Sequence, residues 1–233
     1  MLRSHSRFVE GFATGMWQSN CYLLGDLSER TCVVVDPGQD AATRVNQRLA
    51  AHDVTCEAIL LTHGHLDHLW AVPELAGELD VPVWLHPQDR WLWDEPQRAF
   101  GEDLPAAVLQ QQFAVVWDPP TERLESLADG QTLQRAGLAV AVRHTPGHTP
   151  GSCVFLLDDL RPDEPVLISG DLLFAGSVGR TDFPRGSWEQ QAQSLARAVL
   201  PLADETLVLP GHGPETTVEA ERTGNAFLAE LHR

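Results

Sequence analysis

The strongest constraint on this chain is the run Thr62-His63-Gly64-His65-Leu66-Asp67-His68, set directly behind the apolar segment Cys56-Glu57-Ala58-Ile59-Leu60-Leu61-Thr62. Three imidazoles and a carboxylate so close together are poor core material, and adjacent imidazoles repel once protonated. Bound to cations they stay deprotonated and their lone pairs are used. The run therefore reads as a metal-binding turn at a strand end. His63 and His65 can point one way while Asp67 and His68 turn toward a second position. Three later segments share this character: His148 in Thr145-Pro146-Gly147-His148-Thr149-Pro150-Gly151, Asp171 in Ile168-Ser169-Gly170-Asp171, and His212 in Pro210-Gly211-His212-Gly213. Each sets a ligand-type residue beside glycine near a predicted strand end, where glycine lets backbone approach closely. Singly they are weak signals, but behind the first cluster they form a specific constellation.

The surrounding sequence supplies alternating strands and helices. Strands are expected at 19–25 and 31–36, joined by hairpin chemistry in Gly25-Asp26-Leu27-Ser28-Glu29-Arg30, then at 56–62 and 81–85. Helices are expected at about 41–52, capped by Asp40, and over about 67–79. The second half predicts strands near 131–134, 138–144, 152–158, 165–169 and 206–209. It also predicts a helix capped by Ser187 that buries Trp188, Ala192, Leu195, Ala196 and Val199. A last helix is expected from Thr216, with Glu219 completing a capping box. This order predicts two sheets face to face with helices outside. The stretch 87–118, with Trp91, Trp93, Phe100, Phe113 and Trp117, breaks the rhythm. It reads either as surface helices packed on the body or as a lid or wall over a pocket.

With these residues in view, the chain resembles the metallo-β-lactamase superfamily, whose His-x-His-x-Asp-His signature is met at residues 63–68. Within it the chain is most similar to the glyoxalase II-like hydrolases in their short bacterial form, which lacks a C-terminal helical domain. The likeness runs from Asn20-Cys21-Tyr22-Leu23 through Gly179-Arg180-Thr181-Asp182-Phe183-Pro184 to Gly211-His212-Gly213-Pro214-Glu215-Thr216-Thr217. It implies an α/β fold, a four-layer αββα sandwich, carried by a single domain over 1–233 with the aromatic-rich insertion at about 87–118. It also implies that His63, His65 and His148 hold one metal, that Asp67, His68 and His212 hold a second, and that Asp171 bridges both. The cofactors expected are two divalent ions, zinc first, with iron or manganese also suited to mixed nitrogen and oxygen ligands.

The reaction implied is hydrolysis of an acyl-thiol conjugate such as S-lactoylglutathione by a metal-bridging hydroxide, with Asp67 and Asp171 as the catalytic carboxylates. Two enzymatic alternatives share the fold: a persulfide dioxygenase holding one iron at His63, His148 and Asp171, and a lactonase. A non-catalytic metal-stabilised protein is disfavoured, because a structural zinc site closes with four ligands and this chain offers more. Three further residues have two readings each. Arg180 either pairs with Asp182 or meets a substrate carboxylate. Asn20 either satisfies a turn or reaches the pocket floor, and His144 either ends a strand or hydrogen-bonds behind the metal ligands.

Composition limits the partners. The formal net charge of −17 and the absence of any lysine disfavour nucleic acid, and no apolar run is long enough to span a membrane. A small-molecule substrate, a cytoplasmic location and a monomer or small homo-oligomer are expected. Cys21, Cys32, Cys56 and Cys153 form no close pair in sequence and read as core residues.

Overall fold

The segment Thr31–Val35 is apolar after its first residue and buried on both faces, so a sheet built on it needs cover on each side. The computed structural model, which describes residues 6–161 and 164–231, supplies that cover. The first sheet contains β1 (Arg7–Thr14), β2 (Ser19–Asp26), β3 (Thr31–Val35), β4 (Thr55–Leu60), β5 (Val83–Leu85) and β6 (Leu124–Ser126), in that spatial order. Its first three strands are antiparallel and β3 to β6 run parallel. The helices α1 (Ala41–His52), α2 (Leu66–Leu69), α3 (Val72–Leu79), α4 (Arg90–Asp94) and α5 (Ala107–Phe113) lie between its strands in sequence. The second sheet contains β7 (Thr132–Arg135), β8 (Leu138–His144), β9 (Cys153–Arg161), β10 (Glu164–Gly170), β11 (Leu207–Pro210) and β12 (Thr216–Thr217). With it come α6 (Trp188–Ala198), α7 (Val218–Gly224) and α8 (Ala226–Leu231).

Alternation along the strands sorts the core into layers. Val33, Val35, Ala58 and Leu60 meet Leu138, Val140, Phe155 and Ile168 between the sheets. Their neighbours Cys32, Val34, Ile59 and Leu61 face the other way, onto Val45 and Leu49 of α1 and Val72 and Leu75 of α3. On the far side, Val154, Leu156 and Leu167 pack against Leu195 and Ala198 of α6, Val218 and Leu228. The result is the expected αββα sandwich.

Several local expectations are corrected. The helix expected over 67–79 is broken at Trp70 and Ala71, because Pro73 has no N–H for the Leu69 carbonyl and the Ala71 N–H bonds Pro37 instead. Asp40 precedes α1 in a left-handed conformation and makes no side-chain cap, whereas Ser187 does cap α6 through the Gln190 N–H. The last helices begin at Val218, and Thr217 rather than Thr216 caps them, so the Thr216–Glu219 box does not form. Strand β1 was not anticipated, since its Phe8, Phe12 and Val9 are spaced among polar residues.

The segment 87–118 does both things suggested for it. Trp93 is fully buried against the body, and its carbonyl accepts from Trp117 Nε1 at 2.6 Å. Phe100 and Phe113 instead gather round Trp17, with ring centroids 6.2 and 5.2 Å away.

Beyond β5, His86 lies flat on His144 at the end of β8, ring centroids 3.9 Å apart and planes 11° from parallel, so the stack joins the two sheets. Burial, reinforced by the His144 ring, lowers the His86 pKa from 6.5 to about 4. Between those values the unfolded chain binds a proton that the folded chain refuses, so stability falls as pH drops through this window. Urea midpoints at about pH 7.5 and about pH 5 should therefore differ more in the native chain than in His86→Gln. Equal differences would remove His86 as the source.

Candidate metal centre

Strand ends bring the chemistry together. Thr62 follows β4 and leads into His63 and His65, and the short α2 carries Asp67 and His68. His148 sits in the turn between β8 and β9, Asp171 directly follows β10, and His212 follows β11. Backbone bonds stitch these loops to one another. Cys153 N–H donates to Thr62 O at 2.7 Å, Gly211 N–H to Gly170 O at 2.8 Å, Asn20 N–H to Gly211 O at 2.7 Å and Ser187 N–H to Gly147 O at 2.8 Å. At Gly211 any Cβ would lie 2.1 Å from Asp171 Oδ1, which accounts for glycine there.

The seven residues singled out by sequence converge. The candidate ligand atoms of His63, His65 and His148 lie within 4.8 Å of one another, as do those of Asp67, His68 and His212. Asp171 lies between the two groups, Oδ2 at 3.4 Å from His148 Nε2 and 3.7 Å from His212 Nε2, and Oδ1 at 3.5 Å from His68 Nε2.

Hydrogen bonds on the far side of four of the five rings decide where their lone pairs point. His68 Nδ1 meets the Asp36 carboxylate at 3.1 Å, His212 Nδ1 meets Trp17 O at 3.1 Å and His148 Nδ1 meets Arg180 O at 2.6 Å. All three acceptors require a proton on Nδ1, which leaves Nε2 bare in a neutral ring. His63 follows suit, because the Thr62 hydroxyl donates to Asp36 and so accepts from His63 Nδ1 at 3.0 Å. The Nε2 atoms of His68 and His212 face each other at 3.3 Å, and as the neutral rings a metal requires they would be two acceptors side by side. His63 Nε2, His148 Nε2 and Asp171 Oδ1 are buried with no hydrogen-bond partner at all. Buried acceptors left this way cost free energy unless a cation supplies what they lack. The residues present fit a pair of metal ions.

Electrostatics divides the centre. Burial, then the neighbouring imidazoles, hold His63 and His65 well below the usual histidine range, so they stay neutral ligands. On the other side burial opposes charge, but the Asp67 and Asp171 carboxylates outweigh it and raise His68, and Asp67 and Asp171 likewise raise His212. Burial would raise Asp67 as well, yet His68 and hydrogen bonds from His212 and His68 hold it well below the usual carboxylate range. This half of the centre attracts positive charge.

Sequence reasoning missed the supports. Asp36 is 1% exposed, and Oδ1 accepts from the Thr62 N–H while Oδ2 takes the Thr62 hydroxyl and His68 Nδ1–H. Asp89, fully buried in the insertion, accepts from Gly64 N–H at 2.8 Å, Gly151 N–H at 2.7 Å and the Thr149 hydroxyl at 2.6 Å. It thereby ties the His63–His65 turn to the His148 turn. Gln191 of α6 donates to the Asp171 and Leu172 carbonyls, and Ser194 to Pro146 O. These contacts explain why α6 buries Gln191 and Ser194 and leaves Ala196 and Trp188 exposed, contrary to its apolar periodicity. An isolated aspartate or glutamine carries no motif that would have marked it.

The three residues with two readings resolve differently. Arg180 is bound to Asp182 through both fork nitrogens at 2.6 and 2.7 Å, lies over the Phe183 ring and borders the pocket. Asn20 donates to Pro210 O and Gly213 O, bracing the His212 loop from outside rather than reaching the pocket floor. His144 Nε2 donates to Pro150 O at 2.8 Å, so it braces the turn that carries His148. The pocket over the centre holds about 420 Å³ and is walled by Trp17, Phe100, Phe174, Val178 and Phe183.

Removing the charge behind His68 tests this arrangement. Asp36→Asn presents an amide donor to groups that need an acceptor, and should weaken metal binding about 10–100-fold in competition with a chelator. Unchanged affinity would show that Asp36 does not orient the ring.

The comparisons with known proteins agree with this geometry. A hydroxyacylglutathione hydrolase GloC of Haemophilus influenzae is 35% identical over 94% of this chain and 97% of its own. The solved structure of the B3 metallo-beta-lactamase BLEG-1 shares 32% identity at a TM-score of 0.82, covering 95% of this chain and 99% of that one. A protein solved in a di-iron-bound form shares 35% identity at a TM-score of 0.75, over 94% and 100% of the two chains. The buried histidine and aspartate cluster is consistent with a binuclear metal-hydrolase site. Since the model of the metallo-beta-lactamase superfamily matches residues 14–212, the chain belongs to that superfamily.

Proposed function

We propose that the protein is a dinuclear metal-dependent hydrolase of thioesters, acting on acyl-thiol conjugates such as S-lactoylglutathione. The observation that carries this reading is the position of Asp171, whose carboxylate lies within 3.7 Å of imidazole nitrogens from both halves of the centre. The 35% identical GloC of Haemophilus influenzae supports the substrate class, and the di-iron-bound relative supports two ions. In this assignment His63, His65 and His148 hold one ion, Asp67, His68 and His212 the other, and Asp171 serves both. Zinc is the first choice, with iron or manganese as the alternatives that such ligands also accept. When bound, the ions supply Lewis acidity that brings the pKa of water from 15.7 to about 7 and polarises a carbonyl.

The chain's own groups do the rest. Asp67, held ionised beside His68 and His212, accepts a hydrogen bond from the attacking water and orients it. Neutral His63 and His65 keep their lone pairs directed at the centre at ordinary pH. Trp17, Phe100, Phe174 and Phe183 cover the apolar parts of the substrate and exclude bulk water from the ester carbon. A thiolate is a good leaving group, so none of these residues is required as a general acid.

A second reading keeps one observation in its favour. Among the candidate ligand atoms of the centre, those buried without partners are His63 Nε2, His148 Nε2 and Asp171 Oδ1, the ligands that a mononuclear iron persulfide dioxygenase of this fold would use. Elemental analysis of protein purified without added metal, with parallel assays on S-lactoylglutathione and on glutathione persulfide, separates the two. Two metals per chain with thioester turnover are expected. One iron with oxygen uptake on the persulfide would reverse the order. Asp171→Ala should lose metal and turnover together, and full activity with both ions retained would overturn the bridge.

A further inference from the structure

The ends of β3 and β4 remote from the metal centre hold a feature that hydrolysis does not use. Cys32 and Cys56 are direct register partners on these parallel strands, and both side chains turn toward the helix layer. Neighbouring strands run about 4.8 Å apart, inside the roughly 4.4–6.8 Å between Cα atoms over which a disulfide closes. Cys32 is fully buried, whereas Cys56 is only partly so. Cys56 borders a cleft of about 720 Å³ lined by Arg30, Asn46, Thr55 and Glu78, larger than the pocket over the metal centre. Along β4, Cys56 lies seven residues before His63, on the order of 20 Å at the rise of a strand.

Position separates the two thiols. The Cys56 thiol, which donates to Ala58 O at 3.3 Å, borders the cleft, while Cys32 lies fully buried behind it. An accessible sulfur backed by a buried partner on the next strand is the arrangement of an attacking thiol with a resolving one.

We propose that Cys56 and Cys32 form a redox-active dithiol, a modification site for hydroperoxides at the end of the sandwich away from the metal centre. The Cys56 thiolate attacks the hydroperoxide oxygen, the O–O bond breaks, and hydroxide or alkoxide leaves and takes up a proton. Cys56 becomes a sulfenic acid. The Cys32 sulfur then attacks the Cys56 sulfur, the S–O bond breaks, and water leaves with the Cys32 proton. In balance, two thiols and one hydroperoxide give one disulfide and two molecules of water or, for an alkyl hydroperoxide, one of water and one of alcohol.

The test uses the metal-loaded protein treated with hydrogen peroxide, digested without reductant and mapped by mass spectrometry. The expected result is a cross-linked pair of peptides containing Cys32 and Cys56, lighter by two hydrogen masses and separated again by dithiothreitol. Alkylation of Cys56 should be lost in step. In Cys32→Ser, peroxide should instead leave a sulfenic acid on Cys56 that dimedone traps. Persistence of alkylatable Cys56 while methionines oxidise, or a cross-link from Cys56 to Cys21, would overturn the proposal. The native-chain experiment stands alone should the variant fold poorly.

Discussion

The structure depends on holding imidazole nitrogens and carboxylate oxygens from distant parts of the chain against one another at the floor of one pocket. His68 and His212 bring their Nε2 atoms within 3.3 Å, and Asp67 and Asp171 add negative charge beside them. Four separate loops carry the seven ligand residues. They are kept in place by groups behind them: Asp36 and Thr62 fix two rings, the Trp17 and Arg180 carbonyls fix two more, and backbone bonds cross from one sheet to the other at Thr62–Cys153 and Asn20–Gly211. The ligand loops are thus held by hydrogen bonds at their backs and by continuity with three well-filled core layers.

The loops can be this short because the strands deliver them directly. β3, β4 and β5 run parallel in one sheet and β10 and β11 in the other, so the turns following β4, β10 and β11 lead straight into ligand residues. Parallel neighbours require helical crossovers, and those crossovers form the outer layers of the sandwich. Layering and active-site placement therefore have a common cause.

What could be read from the sequence follows from how each residue acts. The ligands were legible because histidine and aspartate beside glycine at strand ends are unusual in the core, and His63 to His68 are adjacent in the chain. The sandwich was legible because strands and helices alternate along the chain, which sets two sheets face to face with helices outside. Asp36, Asp89 and Gln191 were not, because each serves backbone groups or rings from a distant part of the chain. Helix α6 shows the limit most clearly. Its apolar residues predict one face, but amide bonds to the Asp171 loop rotate a polar face inward. The break after α2 was signalled by Pro73, which the hydrophobic pattern of 67–79 concealed.

The insertion between β5 and β6 contributes an aromatic wall through Phe100, yet reaches the centre's supports through Asp89 alone among the hydrogen bonds described. Asp89 sits at the very start of that segment, before α4. The largely exposed stretch 102–107 can be lengthened or exchanged while Asp89 and the buried Leu92 and Trp93 keep the tie between the two histidine turns intact. Changes in this part of the pocket wall and changes in the metal supports thus fall on separable stretches of chain. A scaffold divided in this way lets new specificities arise by grafting one loop onto an unchanged reactive core.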